Sequence, residues 1–323
     1  MIFSEQTELN NPSSSWEDSF LNWFSTLDIP MIETKLKLGG LEYYHFASLV
    51  KDHPSKKLIS GFGSHQSRKL AAIKCAAETL ERIQMLDYFS KSLTVPVKLQ
   101  TSNGWAVHSS ANQAKDKALA EATERHLLLK SFFRSGWNGF KLIQTIETEN
   151  ITLYLVLGKY TYKNQVSVLV AARSKKFSGV SFGYGLGMME NLNSSDFWSA
   201  AIFEAVDRIL VPSEAKESSL KDNWIRQELN QYLNNSFDFS VLKENTHSDF
   251  FEAESEFVSV EFTINDLSKK YGLPFSLYSA FVKSDDLIPL FTTKHLNQEA
   301  LAYLKPILEK HKIFELPEGH PIL

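Results

Sequence analysis

The chain has 323 residues, of which 43% are hydrophobic, and its 34 basic and 38 acidic side chains leave a net charge of −4. That length and apolar content suit one large domain or two smaller ones, and 23 Phe with 6 Trp argue against a disordered chain. The near-balanced charge exerts no general pull on nucleic acid or an anionic membrane, so any affinity for phosphate must be local. The one cysteine, Cys75, excludes an internal disulfide and a cysteine-bound zinc, in keeping with a reducing cytoplasm. The N-terminus lacks a basic segment followed by an apolar stretch, and no apolar run approaches the ~18 residues of a membrane helix. A soluble, cytoplasmic protein is expected.

Residues 1–15 are polar and read as loose. Trp16–Leu27 predicts a short helix with an aromatic face. Glu33–Leu38 and Glu42–Val50 read as strands joined at Gly39-Gly40, a hairpin signal. Leu58–Ser64 reads as a strand end running into a glycine loop. Ser67–Leu86 is helical, with Leu70, Ile73, Ala77, Leu80 and Gln84 on one stripe. The plan then recurs. Pro96–Thr101 is strand-like, Ser102-Asn103-Gly104 a turn, and Gln113–Phe132 a helix. Ile151–Tyr160 and Val166–Ala172 form a hairpin turning near Lys163-Asn164. Phe182–Gly187 reads as a glycine-rich loop before an apolar helix, Ser195–Val211. Residues 214–250 are polar and partly helical. Phe257–Ile264, Phe275–Val282 and Pro289–Thr293 read as strands, and Asn297–His311 as a final helix kinked at Pro306. Strands and helices mix without a steady βαβ rhythm, so the class is α+β with mixed or antiparallel sheets.

Three helices carry the same constellation: Glu78-Thr-Leu-Glu81-Arg82, Glu121-Ala-Thr-Glu124-Arg125 and Glu204-Ala-Val-Asp207-Arg208. Each follows a strand and a glycine-bearing segment, and the spacing from glycine to acid drifts, so this is an echo and not a strict repeat. Residues at i and i+3 share a helix face, so both acids of a copy can reach one site. Paired carboxylates repel, and a cation relieves that repulsion. Magnesium prefers such oxygen ligands and bridges them to phosphates. The neighbouring Arg can contact phosphate or brace a carboxylate. A single copy would simply be a solvated face. The third helix argues otherwise, because Glu204 and Asp207 are the only acids in a run that is nearly all apolar from Phe197 to Val211, where unpaired carboxylates are costly.

Gly61-Phe62-Gly63 with Glu78–Arg82, Ser102-Asn-Gly-Trp-Ala106 with Ala118–Arg125, and Gly183-Tyr-Gly185 with Ala200–Glu204 resemble the three motifs of the YcaO-domain family. The resemblance covers roughly residues 55–323, leaving 1–54 as an N-terminal extension and hairpin. It implies an enzyme that uses ATP and Mg2+ to activate a peptide backbone amide, for azoline, thioamide or amidine formation in a ribosomally made peptide or protein. It also implies Glu78, Glu81, Glu121, Glu124 and Glu204 as metal ligands, with Ser64, Ser102, Asn103, Gly104, Arg82, Arg125, Arg208 and Asp207 on the ATP side. In family members with a Pro-rich tail the C-terminal carboxylate serves as a base, which here is that of Leu323. Three features depart from the family pattern. Phe62 stands where Lys is common, Asp207 where Gln is usual, and the tail has only Pro317 and Pro321. The short N-terminus leaves no room for a leader-binding domain, so a separate partner protein is expected, with a homodimer among the admissible assemblies. The alternative is a degenerate scaffold that keeps the fold without the chemistry.

Other motifs carry less. Gly179-Val-Ser181-Phe-Gly183 matches a hydrolase elbow, but strand alternation continues past the serine. Gly183-x-Gly185-x-Gly187 lacks dinucleotide spacing and reads as a loop near a ligand. No P-loop and no H-x-x-x-H pair occurs. His108 and His126 could line the site, with a surface or capping role the simpler reading, and Cys75 reads as a small buried residue.

Overall fold

The computed structural model describes residues 15–50, 59–91, 95–96, 99–176, 179–214, 239–242, 250–289 and 296–316. In chain order the elements are α1 (Trp16–Ser25), β1 (Met31–Leu38), β2 (Leu41–Val50), β3 (Ile59–His65), α2 (Arg68–Phe89), β4 (Trp105–His108), α3 (Ala111–Ser135), β5 (Phe140–Glu147), β6 (Ile151–Tyr162), β7 (Gln165–Ser174), β8 (Val180–Met188), α4 (Ser195–Glu214), β9 (Glu252–Ala253), β10 (Glu261–Asp266), α5 (Leu267–Tyr271), β11 (Tyr278–Lys283) and α6 (Gln298–Lys310). The class is α+β. The chain forms two compact units: Met1–Leu93, Gly104–Leu119 and Phe262–Val282 make the first, and Thr94–Asn103, Ala120–Glu261 and Lys283–Leu323 the second.

The first unit holds two three-stranded sheets, ordered β1-β2-β3 and β10-β11-β4. Leu38 pairs with Leu41 across Gly39 and Gly40, whose φ angles of 57° and 89° supply the left-handed turn that a two-residue hairpin needs. Ser67 caps α2 through its side chain, which accepts from the Leu70 N–H. Packed together are Phe20 and Phe24 of α1, Ala76 and Leu80 of α2, Val107 of β4, and Leu267 and Leu277. Each such large side chain contributes about 1.5–3 kcal/mol through burial.

The second unit is a four-stranded antiparallel meander, β5-β6-β7-β8, with β9 added in parallel to β6. Lys163 and Asn164 turn the β6–β7 hairpin with φ of 48° and 62°. Strands β6 and β7 are buried almost throughout, which is why they read as near-continuous apolar runs. Leu128, Leu129 and Phe132 of α3, Val156, Leu169 and Phe182 of the sheet, and Leu304 and Leu308 of α6 share one core.

Several expectations need correction. The glycines of Gly61-Phe62-Gly63 and Gly183–Gly187 lie inside β3 and β8, not in loops. They are there because a helix crosses close above. A Cβ on Gly61 would come within 2.1 Å of Thr79 Oγ1, and one on Gly183 within 1.9 Å of the Ala201 carbonyl oxygen. Leu70 is 41% exposed, and the buried face of α2 runs instead through Ala71, Ala72, Cys75, Ala76, Thr79 and Leu80. That face is built of small residues because the strand glycines let the helix down onto the sheet. Residues 95–96 and 99–101 are not strand, and the strand in this stretch begins at Trp105. Strands β10 and β11 begin at Glu261 and Tyr278, four and three residues later than expected from Phe257 and Phe275. Helix α6, with Pro306 inside it, lies within one residue of its expected bounds. Most of 214–250, residues 290–293 of the last expected strand, and the tail from Pro317 to Leu323 lie outside the described residues.

Candidate functional site

The acidic helices are anchored to their strands by one recurring device. In the first unit the Phe62 N–H, between the two glycines of β3, donates to Glu78 Oε2 at 2.8 Å. Arg82, one turn further along α2, donates to Glu78 Oε1, and its other nitrogen donates to the Ser60 carbonyl at 2.8 Å. Its guanidinium also lies over the Phe62 ring at 5.9 Å. In the second unit the Tyr184 N–H donates to Glu204 Oε2 at 2.8 Å, and Arg208 donates to Glu204 Oε1 at 2.7 Å and to the Phe182 carbonyl at 2.6 Å. Both clips are built alike: a glutamate holds the strand amide, and an arginine four residues later holds the glutamate and the carbonyl two residues before that amide. Charge-assisted hydrogen bonds of this kind fix the carboxylates before any ligand arrives.

The second acid of each copy sits deeper. In the first unit the Val107 N–H donates to Glu81 Oε1 at 2.9 Å. Burial pushes this carboxyl up to about 7; that hydrogen bond pulls it back, and Glu78 adds to the rise. In the second unit burial likewise pushes Glu124 up to about 7, opposed by Arg125 and reinforced by Glu204. Arg125 is ion-paired with Glu124 at 3.3 Å, with each side chain 14% exposed, and its guanidinium lies over the Tyr184 ring at 4.5 Å. Burial opposes its charge, but Glu124, Glu204 and Glu121 outweigh that and raise its pKa further. Its Nε is buried without a hydrogen-bond partner among the described residues, and its Nη1 meets Glu124 only in that ion pair.

The sequence-predicted residues thus group by unit. Glu78, Glu81 and Arg82 lie together in the first; Glu121, Glu124, Arg125, Glu204 and Arg208 lie together in the second. Arg82 and Arg208 act on carboxylates and carbonyls. Asp207 is buried. Ser64 is buried in the first unit and shares a 2.9 Å hydrogen bond with His45, its cross-strand neighbour. The turn at Ser102-Asn103-Gly104 is present, with Gly104 at φ 76° and the Asn103 side-chain oxygen buried without a hydrogen-bond partner. Leu323 lies outside the described residues. His126, read as surface or capping, is fully buried, and His108 is half-buried with a 3.0 Å contact to Ser109 Oγ. Sequence reasoning missed the amides of Phe62 and Tyr184 and the ring of Tyr184 beneath Arg125. The signal was the twice-repeated Gly-aromatic-Gly.

The donor set suits a hard cation. In each unit the glutamates offer only oxygen, as magnesium prefers. Burial raises the pKa of Glu81 and of Glu124, and a dication beside either would favour the ionised form. Arg125 retains unfilled donors that fit a phosphate oxygen.

No protein-family model and no curated protein matches the sequence. Among solved structures, YcaO from Methanopyrus kandleri, bound with AMPPCP and Mg2+, is similar at a TM-score of 0.53 and 9% identity, over 95% of this chain and 96% of that one. A heterocyclase in complex with substrate and cofactor gives a TM-score of 0.49 and 10% identity over 86% of this chain, which spans 54% of the heterocyclase. Among the described residues no helix is long and apolar enough to cross a membrane. By its fold, though not by any sequence match, this chain is YcaO-like.

Proposed function

We propose that the protein binds ATP with magnesium through Glu121, Glu124 and Glu204 of the second unit, and uses it to activate a backbone amide of a ribosomally made peptide. The observation that carries this reading is Arg125, a buried guanidinium that is ion-paired with Glu124, feels the charge of Glu204 and Glu121, and leaves its Nε without a hydrogen-bond partner among the described residues. Such a centre has the elements of a phosphate site whose negative charge is shared with a dication. The likeness of fold to a protein whose structure holds AMPPCP and Mg2+ supports the same reading. Bound Mg-ATP would supply an electrophilic phosphorus for the amide oxygen, turning that oxygen into a leaving group.

The protein's own part is positioning. Arg82 and Arg208 hold Glu78 and Glu204 in fixed rotamers. The Tyr184 ring packs against the Arg125 guanidinium, whose charge interacts with the three glutamates. At position 62 the clip uses a backbone N–H, which any residue except proline provides, so Phe62 keeps that contact. Azoline, thioamide and amidine products differ only in the incoming nucleophile.

Glu124→Gln is expected to abolish magnesium-dependent ATP binding in calorimetry, with the circular-dichroism spectrum unchanged; undiminished binding would remove Glu124 from the site. ATP turnover that rises with a cognate peptide identifies an enzyme, and binding without turnover identifies the degenerate scaffold. Mass spectrometry of the peptide names the chemistry: a loss of ~18 Da marks cyclisation, and a gain of ~16 Da marks oxygen-to-sulfur exchange.

A further inference from the structure

A second buried polar cluster in the second unit joins His126 of α3, Glu254 just after β9 and His311 at the C-terminus of α6. One ligand atom from each lies within 4.8 Å of the others. His126 is fully buried, His311 is 9% exposed and the Glu254 side chain 7%. The Nε2 atoms of both rings have no hydrogen-bond partner among the described residues, and Oε1 of Glu254 meets only the Lys130 ammonium, which leaves it a further lone pair. The rings meet at 61° with centroids 4.7 Å apart, and Phe257 stands edge-on to His126 at 5.4 Å.

Two histidines and a glutamate suggest a metal, but the hydrogen bonding opposes one. The Ile288 N–H donates to His126 Nδ1 at 3.1 Å. A neutral ring that accepts at Nδ1 carries its proton on Nε2, so Nε2 is a donor with no lone pair for a cation. Lys130 is ion-paired with Glu254, so the carboxylate already has its counter-charge. A dication would have to bind beside that ammonium.

The same bonding defines what does fit. We assign the His311 proton to Nδ1, toward the Asp286 backbone, which leaves Nε2, without a hydrogen-bond partner among the described residues, as an acceptor. The cluster therefore presents one N–H from His126 and two acceptors, His311 Nε2 and Glu254 Oε1. Water has lone pairs for the first and two hydrogens for the others. Hydrogen bonds of ~2.8–2.9 Å at a tetrahedral oxygen set partner atoms roughly 4.6 Å apart, within the observed span. We propose that His126, Glu254 and His311 hold one buried water molecule, which receives a hydrogen bond from His126 and gives one each to Glu254 and His311. The water joins the end of α6 to the α3 turn that follows Arg125.

Long-range 1H–15N NMR of the imidazoles, a high-resolution crystal structure and a calorimetric zinc titration test the assignment together. The expected result is opposite tautomers, His126 protonated at Nε2 and His311 at Nδ1, with an ordered water touching all three side chains and no stoichiometric zinc uptake. His311→Gln, whose amide oxygen can accept, should retain the water, and His311→Leu should lose it. Nδ1–H tautomers in both rings, a dry cluster in the crystal, or one equivalent of zinc bound by wild type and not by His311→Leu would overturn the proposal. If His311→Leu does not fold, the wild-type tautomers and crystal decide alone.

Discussion

Arg82 and Arg208 each hold a glutamate one turn back along their own helix and a carbonyl on the strand below. Removing either guanidinium leaves a carboxylate with one hydrogen bond where it had two. Arg208→Met is expected to destabilise the protein by about 1–3 kcal/mol in urea unfolding, and Arg82→Met by a similar amount. A purely solvated pair would show well under 1 kcal/mol. His311 gives a second test at this scale. Burial, helped by Lys130, lowers its pKa to about 4, below the value in the unfolded chain. Between about pH 6.5 and 4 the unfolded chain therefore binds more protons, and stability falls as pH falls through that window. Relative to His311→Gln, wild type should lose at most about 1.4 kcal/mol per pH unit there, and less for a ring that keeps some solvent contact. The acids and arginines of the helices were legible in the sequence because i, i+3 and i+4 spacings are local. The buried state of His126 was not, since the groups around it, Ile288 and His311, come from far along the chain.

At the scale of elements the sheet glycines decide how helix meets strand. Gly61 and Gly183 have no room for a side chain, because the backbones of α2 and α4 lie against them. Gly183→Ala should move α4 away from β8, lengthen the Tyr184–Glu204 and Arg208–Phe182 bonds, and lower stability by about 1–3 kcal/mol. Thermal unfolding measures the loss. Gly40→Ala tests a different physics: its added Cβ meets nothing within 4 Å, and only the φ of 89° resists it. The order of elements was largely readable from apolar periodicity, and the two hairpin turns from Gly39-Gly40 and Lys163-Asn164. The glycine segments of β3 and β8 misled because glycine ordinarily breaks a strand. Only the packed helix above explains it, and that contact joins residues far apart in sequence. The small-residue face of α2 was overlooked for the same reason: a stripe of large apolar residues marks a helix that stands off its sheet, and this one does not.

At the scale of the molecule, each compact unit is assembled from three separate stretches of chain. The first unit's apolar cluster needs Val107 of β4 and Leu267 and Leu277 around α5 to cover Phe20, Phe24 and Leu80. Residues 1–93 expressed alone lack that cover, so they are expected to give a collapsed-shift NMR spectrum with no cooperative melting transition. Such interleaving is invisible to a reading that runs along the chain, which divides it by sequence position. The lone cysteine offers a way to watch this assembly. Cys75 is fully buried on α2, with its thiol against the Gly61 carbonyl and pushed by burial up to about 12. The native protein should therefore resist thiol reagents, reacting only when α2 lifts from β3. The alkylation rate of an unmodified molecule thus becomes a clock for that opening. Any compound that slows the clock has engaged the folded first unit, with no dye or tag required to see it.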